Sequence, residues 1–195
     1  MGGFRSEFER KRAAATNTAA LGLVELGVDA TEAEIDGALD GVLATVTEIN
    51  RTCDASTRGV AAGSTLAVTE ALHDGKTIRL DTVTGSVCTL PAASGSGARF
   101  RFTTYVLATS NSHIIKVTGT DIMVGAVITT NIADDTNSTF STVVDSDTIT
   151  LNRGTTGSAR IGELIEVEDI KTGTWAVSGC LFGTGAEATP FSATV

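Results

Sequence analysis

The sequence predicts a mainly β protein, an antiparallel β-sandwich or jelly-roll domain over 57–195, preceded by an N-terminal helical arm with short capped helices. Three observations lead there. From about residue 57 onward, apolar and polar residues alternate with the period of two that marks half-buried strands. Glycine-containing turn signals separate the alternating stretches. Threonine is about one residue in six and glycine occurs 21 times against two prolines, a composition suited to pleated surfaces and tight turns.

The arm, 1–29, is basic at its start and Ala-rich afterwards. Residues 1–12 carry four basic groups, Arg5, Arg10, Lys11 and Arg12, against two acids. Phe4 and Phe8 lie four residues apart, and the Ala-rich run leads to Leu21, Leu23 and Val24, a pattern that predicts a helix over 1–24. Alone such a helix is marginal, because nucleation must be offset by packing.

The segment 30–56 carries the chain's internal repeat. Ala30-Thr31-Glu32-Ala33-Glu34-Ile35-Asp36 recurs fourteen residues later as Ala44-Thr45-Val46-Thr47-Glu48-Ile49-Asn50. Each copy holds Thr-x-x-Glu, the reciprocal capping box that starts a helix. Ile35, Leu39, Val42, Val46, Ile49 and Cys53 follow the 4, 3 spacing of a coiled-coil seam. One weakly broken helix fits, but two short capped helices fit better. Thr45 caps well, and Gly37 and Gly41 would each weaken a single helix by roughly 1 kcal/mol. The apolar stripe needs a partner surface, so Ile35, Leu39, Val42, Val46 and Ile49 are the predicted oligomer interface of a homotrimer.

The alternating stretches of 57–195 include Thr77–Leu80, Arg99–Phe102, His113–Val117, Asp147–Leu151 and Ile165–Glu168. Turn signals stand at Asp74-Gly75, Thr84-Gly85, Ser94-Gly95-Ser96-Gly97, Thr118-Gly119, Asn152-Arg153-Gly154 and Thr172-Gly173. This reads as about ten strands at antiparallel spacing. With no helical period after residue 60, a parallel α/β sheet is not expected.

The chemistry-bearing residues read structurally. His73 and His113 are the two histidines, too few for a His-based metal cluster within one chain. His113 shares strand parity with Ile115 and Val117 and reads as a satisfied, half-buried side chain. His73 precedes a turn and reads as solvated. Asp134-Asp135 and Asp145-Ser146-Asp147 have the positions of hairpin-turn aspartates and lack calcium-loop spacing. Gly95-Ser96-Gly97 lies between strand patterns rather than on a strand-to-helix turn, so it is no nucleophile elbow. Cys88 and Cys180 fall inside strand patterns and read as small core hydrophobes. The expectation is no enzyme, no cofactor and no metal.

Net charge is −9, and residues 25–54 alone carry eight acids against one arginine. That balance argues against direct nucleic-acid binding. No apolar run reaches the roughly 20 residues a membrane span requires, so no membrane is expected either.

Leu72-His73-Asp74-Gly75-Lys76-Thr77-Ile78-Arg79-Leu80 and Val87-Cys88-Thr89-Leu90-Pro91-Ala92-Ala93-Ser94-Gly95-Ser96-Gly97-Ala98-Arg99-Phe100-Arg101-Phe102 resemble the β-domain of tailed-bacteriophage capsid decoration (cement) and head-fibre proteins. The ending Gly185-Ala186-Glu187-Ala188-Thr189-Pro190-Phe191-Ser192 is similar to that family's C-terminal tail, and the 30–53 repeat with Leu39-Asp40-Gly41-Val42 is similar to fibre-shaft repeats. The sequence departs from the family pattern at Cys88 and in the basic arm. The resemblance implies a structural virion protein, commonly a homotrimer, on the outer capsid surface, assembled in the host cytoplasm, with the major capsid protein as partner. The arm residues Phe4, Arg5, Phe8, Arg10, Lys11 and Arg12 are the expected capsid attachment. A tail-fibre, spike or head-fibre component for host adsorption is the alternative expectation, and a carbohydrate-binding β-domain the second.

Overall fold

The computed structural model describes residues 58–193, where the period-two pattern becomes twelve strands and one helical turn. In chain order these are β1 (Gly59–Ala61), β2 (Thr65–Ala67), α1 (Glu70–His73), β3 (Thr77–Leu80), β4 (Val87–Thr89), β5 (Arg99–Thr104) and β6 (His113–Lys116). There follow β7 (Ile122–Asn131), β8 (Asn137–Ser141), β9 (Thr148–Leu151), β10 (Leu164–Lys171), β11 (Thr174–Gly183) and β12 (Phe191–Ser192). The predicted arm and helical repeat, 1–56, lie outside the described residues.

The strands form a seven-stranded sheet, β1-β3-β5-β10-β11-β7-β8, and a five-stranded sheet, β12-β9-β6-β4-β2. Both sheets are mixed, which corrects the antiparallel expectation. The pairs β1/β3, β3/β5, β2/β4, β4/β6 and β7/β11 are parallel. The physical reason lies in the connections. From β1 to β6 the chain alternates between sheets, so odd-numbered strands stack in one and even-numbered strands in the other. Parallel neighbours need a long crossover, usually a helix. Here a strand of the opposite sheet serves as that crossover, and the winding needs no helix. Gly59 pairs with Thr77, and Thr77 with Arg101. Likewise Thr65 pairs with Val87, and Val87 with Ile114.

After β6 the ladders turn antiparallel. β9 pairs with β6, and β10 pairs with β5 and then folds back as β11. The long strand β7 lies parallel to β11 over ten residues, from Ile122↔Thr174 to Asn131↔Gly183, and β8 covers its outer edge.

Inward residues of both sheets enter one hydrophobic core. Phe100, Phe102, Ile78, Val167, Trp175 and Met123 come from the larger sheet, and Cys88, Ile115, Ile149 and Phe191 from the smaller. The Phe100 and Trp175 rings meet at 5.7 Å between centroids, tilted by 39°, within the range of favourable aromatic pairs. Burial of Cys88, reinforced by the charge of Asp81, pushes its thiol up to about 12, so it is an inert core side chain.

Three readings of side chains need correction. His73 is buried, not solvated: it ends α1, and its Nδ1 lies 3.0 Å from the Thr69 N–H nitrogen. The turn α1 itself is a helical element after residue 60, held by the Glu70 and Thr69 carbonyls. Cys180 is exposed, because it shares parity with Ser178 and Phe182 rather than with inward Trp175 and Val177.

Two glycines separate strain from space. A Cβ on Gly125, at φ 144°, would stand 1.9 Å from the Val177 carbonyl oxygen across the β7–β11 ladder, whereas Gly97, at φ 77°, faces open space. Gly125→Ala is expected to break that ladder and cost about 3 kcal/mol or more, while Gly97→Ala costs only about 1 kcal/mol of backbone strain. Urea unfolding of the two variants checks this; equal midpoints would contradict the register.

Candidate interaction surface

Alternation sends half of each strand's side chains outward, and on the seven-stranded sheet those outward residues form ordered rows. One row reads Ala61, Arg79, Thr103, Leu164, Cys180, Ile128, Thr139 across β1, β3, β5, β10, β11, β7 and β8. The next reads Gly59, Thr77, Arg101, Glu166, Ser178, Ala126, Ser141. A third places Arg99, Glu168, Ala176 and Val124 side by side.

The rows divide the face in two. Over β5 and β10 it is charged: Arg99 lies 3.0 Å from Glu168, and Arg101 lies 3.8 Å from Glu166. These exposed pairs fix the ladder weakly, as surface ion pairs do. Over β10, β11 and β7 the face is apolar or small-chained. Ala126, Ile128, Leu164, Gly179 and Cys180 line a shallow groove of about 500 Å³, with Thr139, Ser178 and Glu166 at its margins. Ile128 is 46% exposed there. An open groove of this composition is a feature of contact surfaces.

Two guanidinium groups of the domain stack on aromatic rings. Arg79 stacks over the exposed ring of Tyr105, 5.2 Å from its centroid. Its Nε–H is buried and finds no acceptor within the protein. Arg160 stacks over Phe182 at 6.0 Å. Among the described residues neither is in an ion pair.

The polar groups buried behind this face are engaged in bracing loops. Asp169, fully buried, accepts hydrogen bonds from the N–H groups of Ser94, Gly95 and Ser96 at 2.7–3.1 Å and from the Ser94 and Ser96 hydroxyls. Burial pushes its carboxyl up, but those donors outweigh it and hold the group below the usual carboxylate range. The Ser94–Gly97 stretch is therefore a loop wrapped around a carboxylate. Glu163, 1% exposed, gathers the Ser158 and Phe182 N–H groups at 2.6 Å and the Thr104 hydroxyl at 2.7 Å. Burial dominates here and pushes its carboxyl up to about 7.

His113 is satisfied and points inward as its strand parity foretold, but it is fully buried rather than half-buried. Its Nδ1 accepts from the Ser86 N–H at 3.0 Å and its Nε2–H donates to the Val106 carbonyl at 2.8 Å. Burial lowers its pKa and keeps it neutral. Asp134 caps its own turn, accepting from the Thr136 N–H and hydroxyl, and that hydroxyl holds its carboxyl below the ordinary value. Among the described residues no three His, Cys, Asp or Glu side chains gather as metal ligands. Trp175 is fully buried, and Tyr105 is 56% exposed.

The predicted attachment residues Phe4, Arg5, Phe8, Arg10, Lys11 and Arg12, and the predicted interface Ile35, Leu39, Val42, Val46 and Ile49, lie outside the described residues. The outward face of the seven-stranded sheet and the two inward carboxylates escaped the sequence reading. Parity carried the signal: extending the inward set Ile165, Val167 by one step each way lands on Glu163 and Asp169.

No protein-family model, curated protein or solved structure matches this chain.

Glu163 makes the domain's stability pH-dependent. Its folded value of about 7 lies above the ordinary 4.5, so its contribution is fully present below about 4.5 and is lost as pH rises through about 7. The span corresponds to roughly 3 kcal/mol. Between pH 4.5 and 8 the wild type should lose several degrees more in melting temperature than Glu163→Gln, read by circular dichroism. Parallel pH profiles would show that Glu163 titrates as an ordinary carboxylate.

Proposed function

We propose that this chain is a structural virion protein that binds the outer capsid surface of a tailed bacteriophage and stabilises the shell. In this reading the two sheets with their common core form a β-sandwich, and three copies assemble as a homotrimer. The arm carries the attachment through Phe4, Arg5, Phe8, Arg10, Lys11 and Arg12, with the major capsid protein as its partner.

The observation that carries the reading is the seven-stranded sheet's outer face. It is a broad, regular surface with an open apolar groove, backed by loops that buried carboxylates hold in place. Such a domain is built to make contact without rearranging. The segments that resemble decoration and head-fibre proteins are the same ones that build the winding: 72–80 runs from α1 through β3, and 87–102 runs from β4 into β5. A shell stabiliser needs these properties, since it acts by adding area that must be separated before capsomers part. Many weak identical contacts then sum through multivalency.

Purified protein mixed with undecorated shells should co-sediment, and decorated particles should release DNA at a higher temperature than bare ones. Removing residues 1–24 should abolish co-sedimentation while leaving the far-ultraviolet β signal intact. Equal release temperatures for bare and decorated shells would remove the stabilising role and bring the host-adsorption fibre forward.

A further inference from the structure

The seven-stranded sheet ends at β8 on an edge that lacks the usual protection. The other end strands, β1, β2 and β12, are only two or three residues long, and short edges pair poorly with foreign strands. β8 is longer. Its residues Asn137-Ser138-Thr139-Phe140-Ser141 include no charge and no proline, and no bulge interrupts its register with β7. Just beyond it stand Val143 and Val144, 64% and 88% exposed, and Val144 is the most exposed of the described large apolar side chains.

Parity shows which backbone groups of β8 are free. The Thr142 N–H donates to the Gly125 carbonyl, and the Asn131 N–H donates to the Thr136 carbonyl. With the same register running between them, the even-numbered residues of β8 turn their backbone groups toward β7. Alternate residues of an antiparallel strand bond to opposite sides. The N–H and C=O groups of Asn137, Thr139 and Ser141 therefore point away from β7, where no strand lies among the described residues. The side chains of these three are exposed, and Thr139 stands at the margin of the groove.

We propose that β8 pairs antiparallel with β8 of a second copy, across a two-fold axis at Thr139. The edge is its own complement. Thr139 meets Thr139, Asn137 meets Ser141 on either side, and each of these pairs exchanges two backbone hydrogen bonds. Threonine opposite threonine is a favourable cross-strand pair. Ser138 of one copy faces Phe140 of the other, beside a ring that packs against the core but is only half-buried. Self-pairing sets like residues near like, which a charged edge would oppose and this neutral one does not. A helix could not supply the extended row of donors and acceptors that the edge leaves open. Ile128 is the β7 neighbour of Thr139, so the grooves of the two copies join in one strip across the axis. The inference is independent of the virion reading, because it rests on the β8 edge alone. It is compatible with a trimer formed through Ile35, Leu39, Val42, Val46 and Ile49, since it uses other residues and would link one trimer to the next.

The test uses the full chain carrying Cys53→Ser and Cys180→Ser, which leaves buried Cys88. Thr139→Cys in this background should give a disulfide-linked dimer under mild oxidation at micromolar concentration, read on a non-reducing gel. Leu72→Cys, at another exposed position, should not. In the chain with its natural cysteines kept reduced, Thr139→Pro removes an N–H that β7 does not use, and Thr139→Lys sets like charges across the axis. Each should weaken self-association about tenfold or more by sedimentation equilibrium, with the β signal in circular dichroism retained. If the proline disturbs β8 itself, that signal changes and the lysine variant decides. No cross-linked dimer up to millimolar concentration, equal cross-linking through Leu72→Cys, or unchanged association of folded Thr139→Lys would overturn the proposal. So would a Thr139→Pro variant that associates normally but no longer co-sediments with shells, which would assign the edge to a strand of the shell.

Discussion

The alternation of the chain between two sheets from β1 to β6 is the constraint on which the rest depends. Each passage from one sheet to the other must deliver an inward apolar residue to a core both sheets share, and must return the next strand beside its predecessor. Ile78 and Phe102 do this on one side, Cys88 and Ile115 on the other. Once three turns are stacked, β9 and β10 close the two ladders antiparallel, and the β7–β11 pair extends the larger sheet. Stacked turns of this kind are stabilised mainly by neighbours, as in repeat architectures. The winding turns in its connections, where glycines with positive φ and the carboxylate of Asp169 shape the chain.

Much of this was legible in residue order. The period of two located Thr77–Leu80, Arg99–Phe102 and Ile165–Glu168 with the correct residues inward, and the Gly-containing signals fell on turns at Gly75, Gly85, Gly119 and Gly173. Parallel stacking was not legible, because a parallel and an antiparallel strand share the same period. Only the order of pairing distinguishes them, and that is set by contacts about twenty residues apart along the chain. His73 was misplaced because one turn of helix is too short to show a 3.6 period. Cys180 was misplaced because its apolar character outweighed the parity that puts it on the same side as Ser178.

The candidate surface was concealed for a related reason. An outward row such as Arg79, Leu164, Cys180 and Ile128 assembles residues from four strands, none of which carries a recognisable motif alone. The buried carboxylates leave a clearer trace in the sequence. A Glu and an Asp at inward parity around Ile165 and Val167 demand hydrogen-bond donors, and a loop of serines and glycines is the available supply. Ser94-Gly95-Ser96-Gly97 thus has a role that its motif-like appearance disguised: short side chains and positive-φ glycines let consecutive N–H groups converge on one carboxylate.

In the proposed reading, the braced β domain acts through what the outer face of its seven-stranded sheet touches. Electron cryomicroscopy of phage shells incubated with the protein tests this most directly. The account predicts ordered β-domain density at repeated capsomer positions, with the outer face of the seven-stranded sheet covered by a neighbouring polypeptide. Shells without added density, or bound domains whose seven-stranded face stands bare toward solvent, would contradict it.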